Sequence, residues 1–261
     1  MATISPLADA VDALVHDGAE IALEGLGASV PAAAAHAILR RRPRDLTLVG
    51  TAPGPAGDQL VGAGCVRKLV FSRLDPGLHR IRDALVTGWP APLEIEEHTQ
   101  AGMAARYVAG ASGLPFGTVR DGYTGTDLAA VTHLATVRCP FTGAELTALP
   151  ALRPDLAVVH AQRADRAGNV QLRGVPGLRK EAVLAARRAL VTVEEVVDEL
   201  EPEHGAVVLP AFTVTRIAVV PAAAPDGDPR ADPCDDTVGR SWAGVSGDRA
   251  RFTSWLEGIR A

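Results

Sequence analysis

The chain has 261 residues, of which 47% are hydrophobic and 22% charged, an ordinary balance for one large α/β domain. A net charge of -5 does not favour a nucleic-acid partner. The N-terminus has no secretory pattern, and no apolar stretch approaches the roughly 20 residues of a membrane-spanning helix. We therefore expect a cytoplasmic protein that does not enter a membrane. Cys65, Cys139 and Cys234 form no metal-binding spacing with the histidines, which predicts no metal site.

Helices and strands alternate along the first half of the chain. Ser5 and Pro6 suit the start of a helix, whose apolar residues recur at helical spacing up to Asp17. Alternation of this kind predicts a mostly parallel sheet with helices on its faces. The predicted strands of this half are 20–23, 46–49, 68–71 and 93–95, and the predicted helices begin at residues 5, 31, 58, 78 and 96.

The second half is denser in strands and has one clear helix, at 181–188. Residues 222–236 are rich in Pro, Asp, Ala and Gly without periodicity, which predicts a loop or linker. Phe252, Leu256 and Ile259 then recur at helical spacing, which predicts a closing helix that docks back on the domain. The predicted strands of this half are 135–137, 156–159, 170–172, 190–193, 207–209 and 214–220.

A polar run at 160–172 follows a short apolar strand and contains Gln162, Asp165 and Asn169. A polar loop at the carboxyl end of a buried strand is where open α/β sheets place ligand sites. The alternative is a solvated turn at Gly168 and Asn169 that serves only geometry, and the spacing leaves both interpretations open.

A glycine loop follows the first predicted strand of the sheet, at Gly25 and Gly27. Glycines before a helix start could let backbone N–H groups approach an anion, although a plain tight turn explains them equally well. The pattern is not a dinucleotide fingerprint, because Val30 stands where the third glycine would be.

Glu96 and Glu97 stand at the predicted start of a helix. Acidic residues stabilise a first helical turn by about 0.3–1 kcal/mol, so a structural role is sufficient for them. The alternative is a role as acid or base, which would require a buried carboxylate.

Three stretches together resemble the alpha subunit of family I CoA-transferases, the group of the glutaconate and 3-oxoacid enzymes. They are 17–31 with 44–49, 96–116, and 160–172 with 180–183. The resemblance covers the chain up to about Pro221. It implies a single domain of the CoA-transferase type at 1–221, with an open, mostly parallel sheet and helices on both faces. A low-complexity loop at 222–246 and a docking helix at 247–261 would follow.

The resemblance also implies the chemistry. Family members move CoA between an acyl-CoA and a carboxylic acid through a glutamate on the beta subunit, in a Ser-Glu-Asn-Gly-type motif. This chain contains no Glu-Asn-Gly, so we expect no catalytic nucleophile here, and we expect the partner to be a homologous beta subunit, in a heterodimer or an α2β2 assembly. No tightly bound cofactor is implied, because the CoA thioester is itself the substrate. The acid would be a 3-oxoacid, a dicarboxylate or an intermediate of aromatic degradation.

The same resemblance suggests the residues that bind substrate. The glycine loop, with Gly25, Gly27 and Ser29, would present backbone N–H groups, and Gln162, Asp165 and Asn169 would lie near the acyl pocket and the subunit interface. Relatives commonly have Gly-Gly-Phe at the loop, where this chain has Glu24, Gly25 and Leu26.

Two other functions remain open. One is an acyl-CoA hydrolase or carbon–carbon lyase on the same scaffold. Ring-cleaving hydrolase relatives carry a glutamate where this chain has Ala101, which weighs against that branch. The other is a non-catalytic scaffold subunit.

Overall fold

The protein is described by a computed structural model of residues 2–25, 29–220 and 237–260, without the side chains of residues 237–240. Within this part of the chain two sheets are packed with α-helices. The strands are β1 (Thr3–Ile4), β2 (Glu20–Glu24), β3 (Leu46–Gly50), β4 (Val66–Phe71), β5 (Glu94–Glu97), β6 (Phe116–Val119), β7 (Ala135–Arg138), β8 (Glu145–Pro150), β9 (Leu156–Asp165), β10 (Val170–Leu172), β11 (Ala189–Val197), β12 (Val207–Leu209) and β13 (Arg216–Val219). The helices are α1 (Leu7–Leu14), α2 (Ala32–Arg41), α3 (Gly54–Gly62), α4 (His79–Thr87), α5 (Gln100–Ala111), α6 (Leu128–Val131), α7 (Arg179–Ala185), α8 (Thr237–Ser246) and α9 (Arg249–Arg260).

The main sheet is parallel along its whole principal path, in the order β1-β13-β11-β9-β2-β3-β4-β5. Two further strands, β10 and β12, continue antiparallel from the end of β9. Parallel neighbours need crossover connections, and these carry helices across both faces. The predicted fold class, an open and mostly parallel α/β sheet with helices on both faces, is confirmed.

Successive residues of the central strands enter two separate cores. In β2, Ile21 and Leu23 pack with α1–α4, α8 and α9, and we call this side the α2 face. Ala22 packs instead with α5 and α7, and we call that side the α5 face. The alternation follows from the two-residue period of a strand, and it fixes the face on which each polar side chain at the end of a strand lies.

Residues 94–97 form a strand, so the prediction that a helix begins at Glu96 is wrong. Side chains of β5 pair with cations of the neighbouring strand, Glu94 with Arg67 at 2.9 Å and Glu96 with Lys68 at 2.5 Å. These pairs favour an extended backbone beside β4. The helix begins later, at Gln100, where Thr99 Oγ1 accepts the N–H of Gly102 at 3.0 Å as an N-cap.

A small antiparallel sheet, β6-β8-β7, was predicted only at β7. Most of its residues are exposed or half-buried, and only Gly117, Ala148 and Leu149 of its strands are buried. Strands without a regular buried face lack the alternation that identifies strands in a sequence.

The predicted loop at 222–246 is helical in its last part, where α8 begins at Thr237. Residues 221–236 lie outside the described part of the chain. Trp242 of α8 is 5% exposed, and its Nε1 donates to Oδ2 of Asp58 in α3 at 2.8 Å. This anchor between distant segments is not visible as local periodicity. The division of the chain at residues 221 and 246 stays a prediction.

Candidate functional site

The order of strands changes direction between β2 and β9. From β2 the sheet grows through β3, β4 and β5, and from β9 it grows the other way through β11 and β13. After β2 the chain passes to the α2 face, whereas after β9 it leads through β10 to α7 on the α5 face. Diverging connections of this kind open a crevice at the carboxyl ends of the two strands, where open α/β sheets bind ligands. We therefore place the candidate site at this crevice, beside the paired residues Glu24 and Val159.

Gly25 follows β2 directly and is held in close contact with its own loop. A Cβ atom at this position would overlap the carbonyl oxygen of Ser29 and lie 2.9 Å from Cα of Val30. The backbone therefore requires glycine here. Ser29 is half-buried just before α2. Gly27, which was also predicted to bind substrate, lies outside the described residues.

His160 lies one residue beyond Val159, with its ring on the α2 face. Nδ1 is 3.0 Å from Oγ1 of Thr192, and Nε2 is 3.7 Å from Oε1 of Glu194. Burial, and then the charge of Arg179, lower the pKa of His160 to about 4. The imidazole is therefore uncharged at neutral pH and contributes an uncharged polar group to the crevice.

Gln162, Asp165 and Asn169 lie close together at the end of β9. Gln162 Oε1 accepts the N–H of Arg173 at 2.8 Å, while its amide nitrogen makes no hydrogen bond within the described chain. Asp165 accepts the backbone and side-chain N–H groups of Asn169, both at 2.8 Å. Asn169 Oδ1 in turn accepts the N–H of Ala211 at 3.0 Å. Asp165 and Asn169 thus close the β9–β10 turn, and a role of the three residues in binding substrate stays a prediction.

Arg179 is a buried cation at the start of α7 that no sequence pattern singles out. It is 1% exposed and donates to the carbonyl oxygens of His160 (3.0 Å), Val175 (2.8 Å), Arg173 and Pro176 (3.2 Å each). Burial lowers its pKa to about 10, so the guanidinium keeps its charge at neutral pH. The segment between β10 and α7 is tied in this way to the end of β9.

Glu24 is a second buried charged residue that was not predicted as a site residue. It ends β2 and is 4% exposed on the α5 face, where Oε1 accepts the N–H (2.8 Å) and the hydroxyl (2.9 Å) of Thr51. Burial raises the pKa of Glu24 to about 7. A signal was present in the sequence, because a glutamate ends the apolar run of β2 directly before Gly25.

Glu96 and Glu97 lie on β5, three strands and about 14 Å of sheet from β2. Glu96 Oε1 accepts from Nε2 of His98 at 2.8 Å and from Arg106 at 2.7 Å, besides the pair with Lys68. The hydrogen bond from His98, followed by Lys68 and Arg106, holds the pKa of Glu96 far below its usual range. Glu97 is exposed. The acid–base role of this pair stays a prediction, and the fold does not bring the pair to the crevice.

Within residues 2–25, 29–220 and 237–260, no group of His, Cys, Asp and Glu side chains could hold a metal ion. The helices of the same ranges include none that is long and apolar enough to cross a bilayer.

Known proteins similar to this chain agree with one another in fold and chemistry. The family profile described as coenzyme A transferase matches residues 4–219. The chain is 46% identical to the alpha subunit of the 3-oxoadipate CoA-transferase of Pseudomonas knackmussii over 98% of its own length and 93% of that protein. The chain belongs to the coenzyme A transferase family. The resemblance to the alpha subunits of family I CoA-transferases is thereby confirmed.

Solved structures show the same CoA-transferase fold. The glutaconate CoA-transferase of Acidaminococcus fermentans superposes with a TM-score of 0.85 at 25% identity, covering 98% of this chain and 88% of that one. The decarboxylase AibA/AibB superposes with a TM-score of 0.82 at 30% identity, covering 99% and 98%. One CoA-transferase scaffold is therefore shared by proteins named for different reactions.

Proposed function

We propose that this chain is the alpha subunit of a two-subunit CoA-transferase that moves CoA from an acyl-CoA to a 3-oxo dicarboxylic acid such as 3-oxoadipate. The observation that carries this proposal is the 46% identity to the alpha subunit of a 3-oxoadipate CoA-transferase over nearly the whole of both chains. The partner would be a homologous beta subunit, in a heterodimer or an α2β2 assembly. The CoA thioester would be a substrate, and no tightly bound cofactor is required.

In the proposed reaction the nucleophile comes from the partner. Its glutamate carboxylate attacks the thioester carbonyl, and CoA leaves as a thiolate with formation of an acyl anhydride. The thiolate then attacks the glutamyl carbonyl and releases the first carboxylate, so that the glutamyl thioester can pass CoA to the acceptor acid by the reverse steps. Covalent catalysis divides one difficult displacement into easier ones. These steps consume no proton, so they require no acid or base at Glu96 or Glu97.

This chain would contribute the wall of the site at the crevice between β2 and β9. Backbone N–H groups of the loop with Gly25, Gly27 and Ser29 would stabilise the oxyanion that forms as the thioester is attacked. The amide nitrogen of Gln162 would donate to a substrate carboxylate. Asp165 and Asn169 would support this wall through the β9–β10 turn.

Co-expression with a beta subunit that carries a Ser-Glu-Asn-Gly-type motif tests the proposal. Succinyl-CoA is supplied with a panel of carboxylic acids, including 3-oxoadipate, and the CoA esters are identified by mass spectrometry. We expect transfer by the pair and by neither chain alone, with 3-oxo dicarboxylates as the best acceptors. Transfer to none of the acids would contradict the proposal.

The structural likeness to the decarboxylase AibA/AibB supports a second candidate, a carbon–carbon lyase or acyl-CoA hydrolase on the same scaffold. Release of free CoA into water or of carbon dioxide, without a new CoA ester, would favour this candidate. A scaffold role would be favoured instead if the pair kept full turnover after substitution of both Gly25 and Gln162.

A further inference from the structure

Glu24 has no cationic partner in the described part of the chain, although cations lie nearby on the same face. Lys68 and Arg106 are both bound to Glu96. His160 is on the neighbouring strand, but its ring is on the opposite face of the sheet and is hydrogen-bonded to Thr192. The carboxyl group of Glu24 therefore exchanges its proton without a compensating positive charge.

The hydrogen bonds of Glu24 join three neighbouring strand ends at the crevice. Glu24 accepts from both donors of Thr51, the first residue after β3. The carbonyl oxygen of Thr51 accepts from Oγ and N of Ser72, at 2.9 and 3.2 Å, and from N of Arg73 at 3.1 Å, just after β4. A change at the carboxyl group of Glu24 is thus transmitted to the ends of β3 and β4, and along the backbone to Gly25.

Tyr107 provides a second, unused donor beside Glu24. It is fully buried on α5, and its hydroxyl makes no hydrogen bond among the described residues. Burial, and then the charge of Glu24, hold the pKa of Tyr107 well above its usual range, so the phenol stays protonated. A buried hydroxyl without a partner is costly, which indicates that Tyr107 pairs with Glu24 in one of its protonation states.

We propose that Glu24 is a positioning residue whose protonation sets how the ends of β2, β3 and β4 are joined at the candidate site, and through this the pH dependence of CoA transfer. The ionised carboxylate can accept from Thr51 and Tyr107 together. The protonated group must instead donate, and the Tyr107 oxygen is its acceptor. This inference rests on the proposed function.

The pH range follows from the groups around the carboxyl. Burial raises the pKa of Glu24 to about 7, while the hydrogen bonds from Thr51 and the nearby hydroxyl of Tyr107 oppose the rise. The other titratable groups of the surrounding elements are Glu20 on β2, Arg106 on α5 and His160 on β9. His160, with a pKa of about 4, is already neutral in this range and cannot account for a transition near pH 7.

The test compares wild type with Glu24→Gln, each in complex with its beta subunit. Infrared difference spectra between pH 5 and 9 follow the carbonyl band of a protonated buried carboxyl group, and kcat/KM is measured over the same range. We expect both to change in wild type with one midpoint near pH 7, and both transitions to be lost in Glu24→Gln. Glu20→Gln, on the same strand and the same face, is the matched control and should keep them.

Two further variants give a direction that a merely structural role would not produce. Tyr107→Phe and Thr51→Val each remove a donor to the ionised carboxylate, so each should move both midpoints to higher pH. They also decide the matter if Glu24→Gln does not fold.

An unchanged transition in Glu24→Gln, or unchanged midpoints in both donor variants, would overturn the inference. Failure of the proposed function is distinguishable, because it removes CoA transfer from the wild-type pair and leaves the infrared transition in place. In that case the influence of Glu24 on catalysis falls together with the function. Loss of the infrared transition from wild type, with transfer intact, overturns the inference alone.

Discussion

Gly25 shows how little room the backbone leaves at the candidate site. Gly25→Ala adds a single Cβ, which would collide with the carbonyl oxygen of Ser29 and force the loop after β2 to move. We expect loss of CoA transfer by at least about tenfold, because displaced backbone donors no longer meet the oxyanion. Steady-state kinetics of the complex measure the effect. Gly244→Ala on α8, where an added Cβ meets no atom within 4 Å, is the matched control. Near-normal rates for Gly25→Ala would contradict the assignment of the loop.

Glu24 also makes a prediction about stability, apart from catalysis. Its pKa rises from 4.5 to about 7 on folding, so between these values the folded chain holds a proton that the unfolded chain has released. The free energy of unfolding should therefore fall as the pH rises from about 4.5 to 7 and stay lower above it. Glu24→Gln should remove this loss and gain up to about 3 kcal/mol over wild type at pH 8, relative to pH 4.5.

Urea unfolding at pH 5 and pH 8 checks the prediction. Glu96→Gln is the control of opposite sign, because the folded state lowers the pKa of Glu96 and its charge stabilises the fold at neutral pH. That variant should lose stability at pH 8. A decrease in stability at pH 8 for Glu24→Gln as well would mean that the ionised carboxylate is favourable and would refute the argument.

At the scale of elements, α8 is attached through one buried hydrogen bond. Asp58 accepts the indole N–H of Trp242 at 2.8 Å and the backbone N–H of Ile81 at 2.7 Å. Trp242→Phe keeps the aromatic ring but leaves a carboxylate oxygen without its donor. We expect a loss of about 1–3 kcal/mol in the free energy of unfolding, the usual cost of an unsatisfied buried polar group.

Denaturant unfolding measures this loss, with Trp255→Phe as the matched control. Trp255 lies on α9 in the same aromatic cluster but is half-buried. Equal effects of the two substitutions would show that ring size, and not the bond to Asp58, decides the stability.

Elements that depend on local pattern were predictable, and those that depend on distant partners were not. The strand predicted at 20–23 is observed as Glu20–Glu24, because apolar alternation and a following glycine are local signals. The acidic residues of β5 suit a helix start as well as a strand, and the deciding cations, Arg67 and Lys68, lie on another strand. In α8, the anchor Asp58 is 184 residues away from Trp242.

The candidate site divides in the same way. Gly25 and Gln162 could be proposed from the sequence, since glycines after a strand and polar residues at the end of another predict a crevice in an α/β sheet. Glu24 and Arg179 could not, because their importance comes from burial of a charge. Burial is a property of the assembled sheet and helices and has no signature in residue spacing.

At the scale of the whole molecule, the C-terminal helices complete the core of the α2 face. The match to the family ends at residue 219, yet Trp242, Phe252 and Leu256 are buried in the same cluster as Leu60 and Ile81. Each such side chain contributes about 1.5–3 kcal/mol by leaving water. A chain ended after residue 220 should therefore melt at lower temperature and bind a hydrophobic dye.

Calorimetry and dye fluorescence of the truncated chain check this expectation. Phe252→Ala should reproduce part of the effect, with a cost of about 3–5 kcal/mol. Its exposed neighbour offers the control Thr253→Ala, which should cost little. A truncated chain as stable as the full one would show that the two helices are dispensable for the core.

The position of β9 between β2 and β11 has a consequence for synthesis on the ribosome. β2 pairs with β9, whose first residue is made about 130 residues after Glu24. At roughly 5–20 residues per second, the inner side of β2 stays without its neighbour for roughly 7 to 26 seconds. During that interval the unit β2-β3-β4-β5 has an open edge in what will become the middle of the sheet, and an open edge is a template for pairing with another chain. The nascent chain is therefore most exposed to aggregation between the emergence of β5 and that of β9, which makes this the interval in which a chaperone has the most to protect.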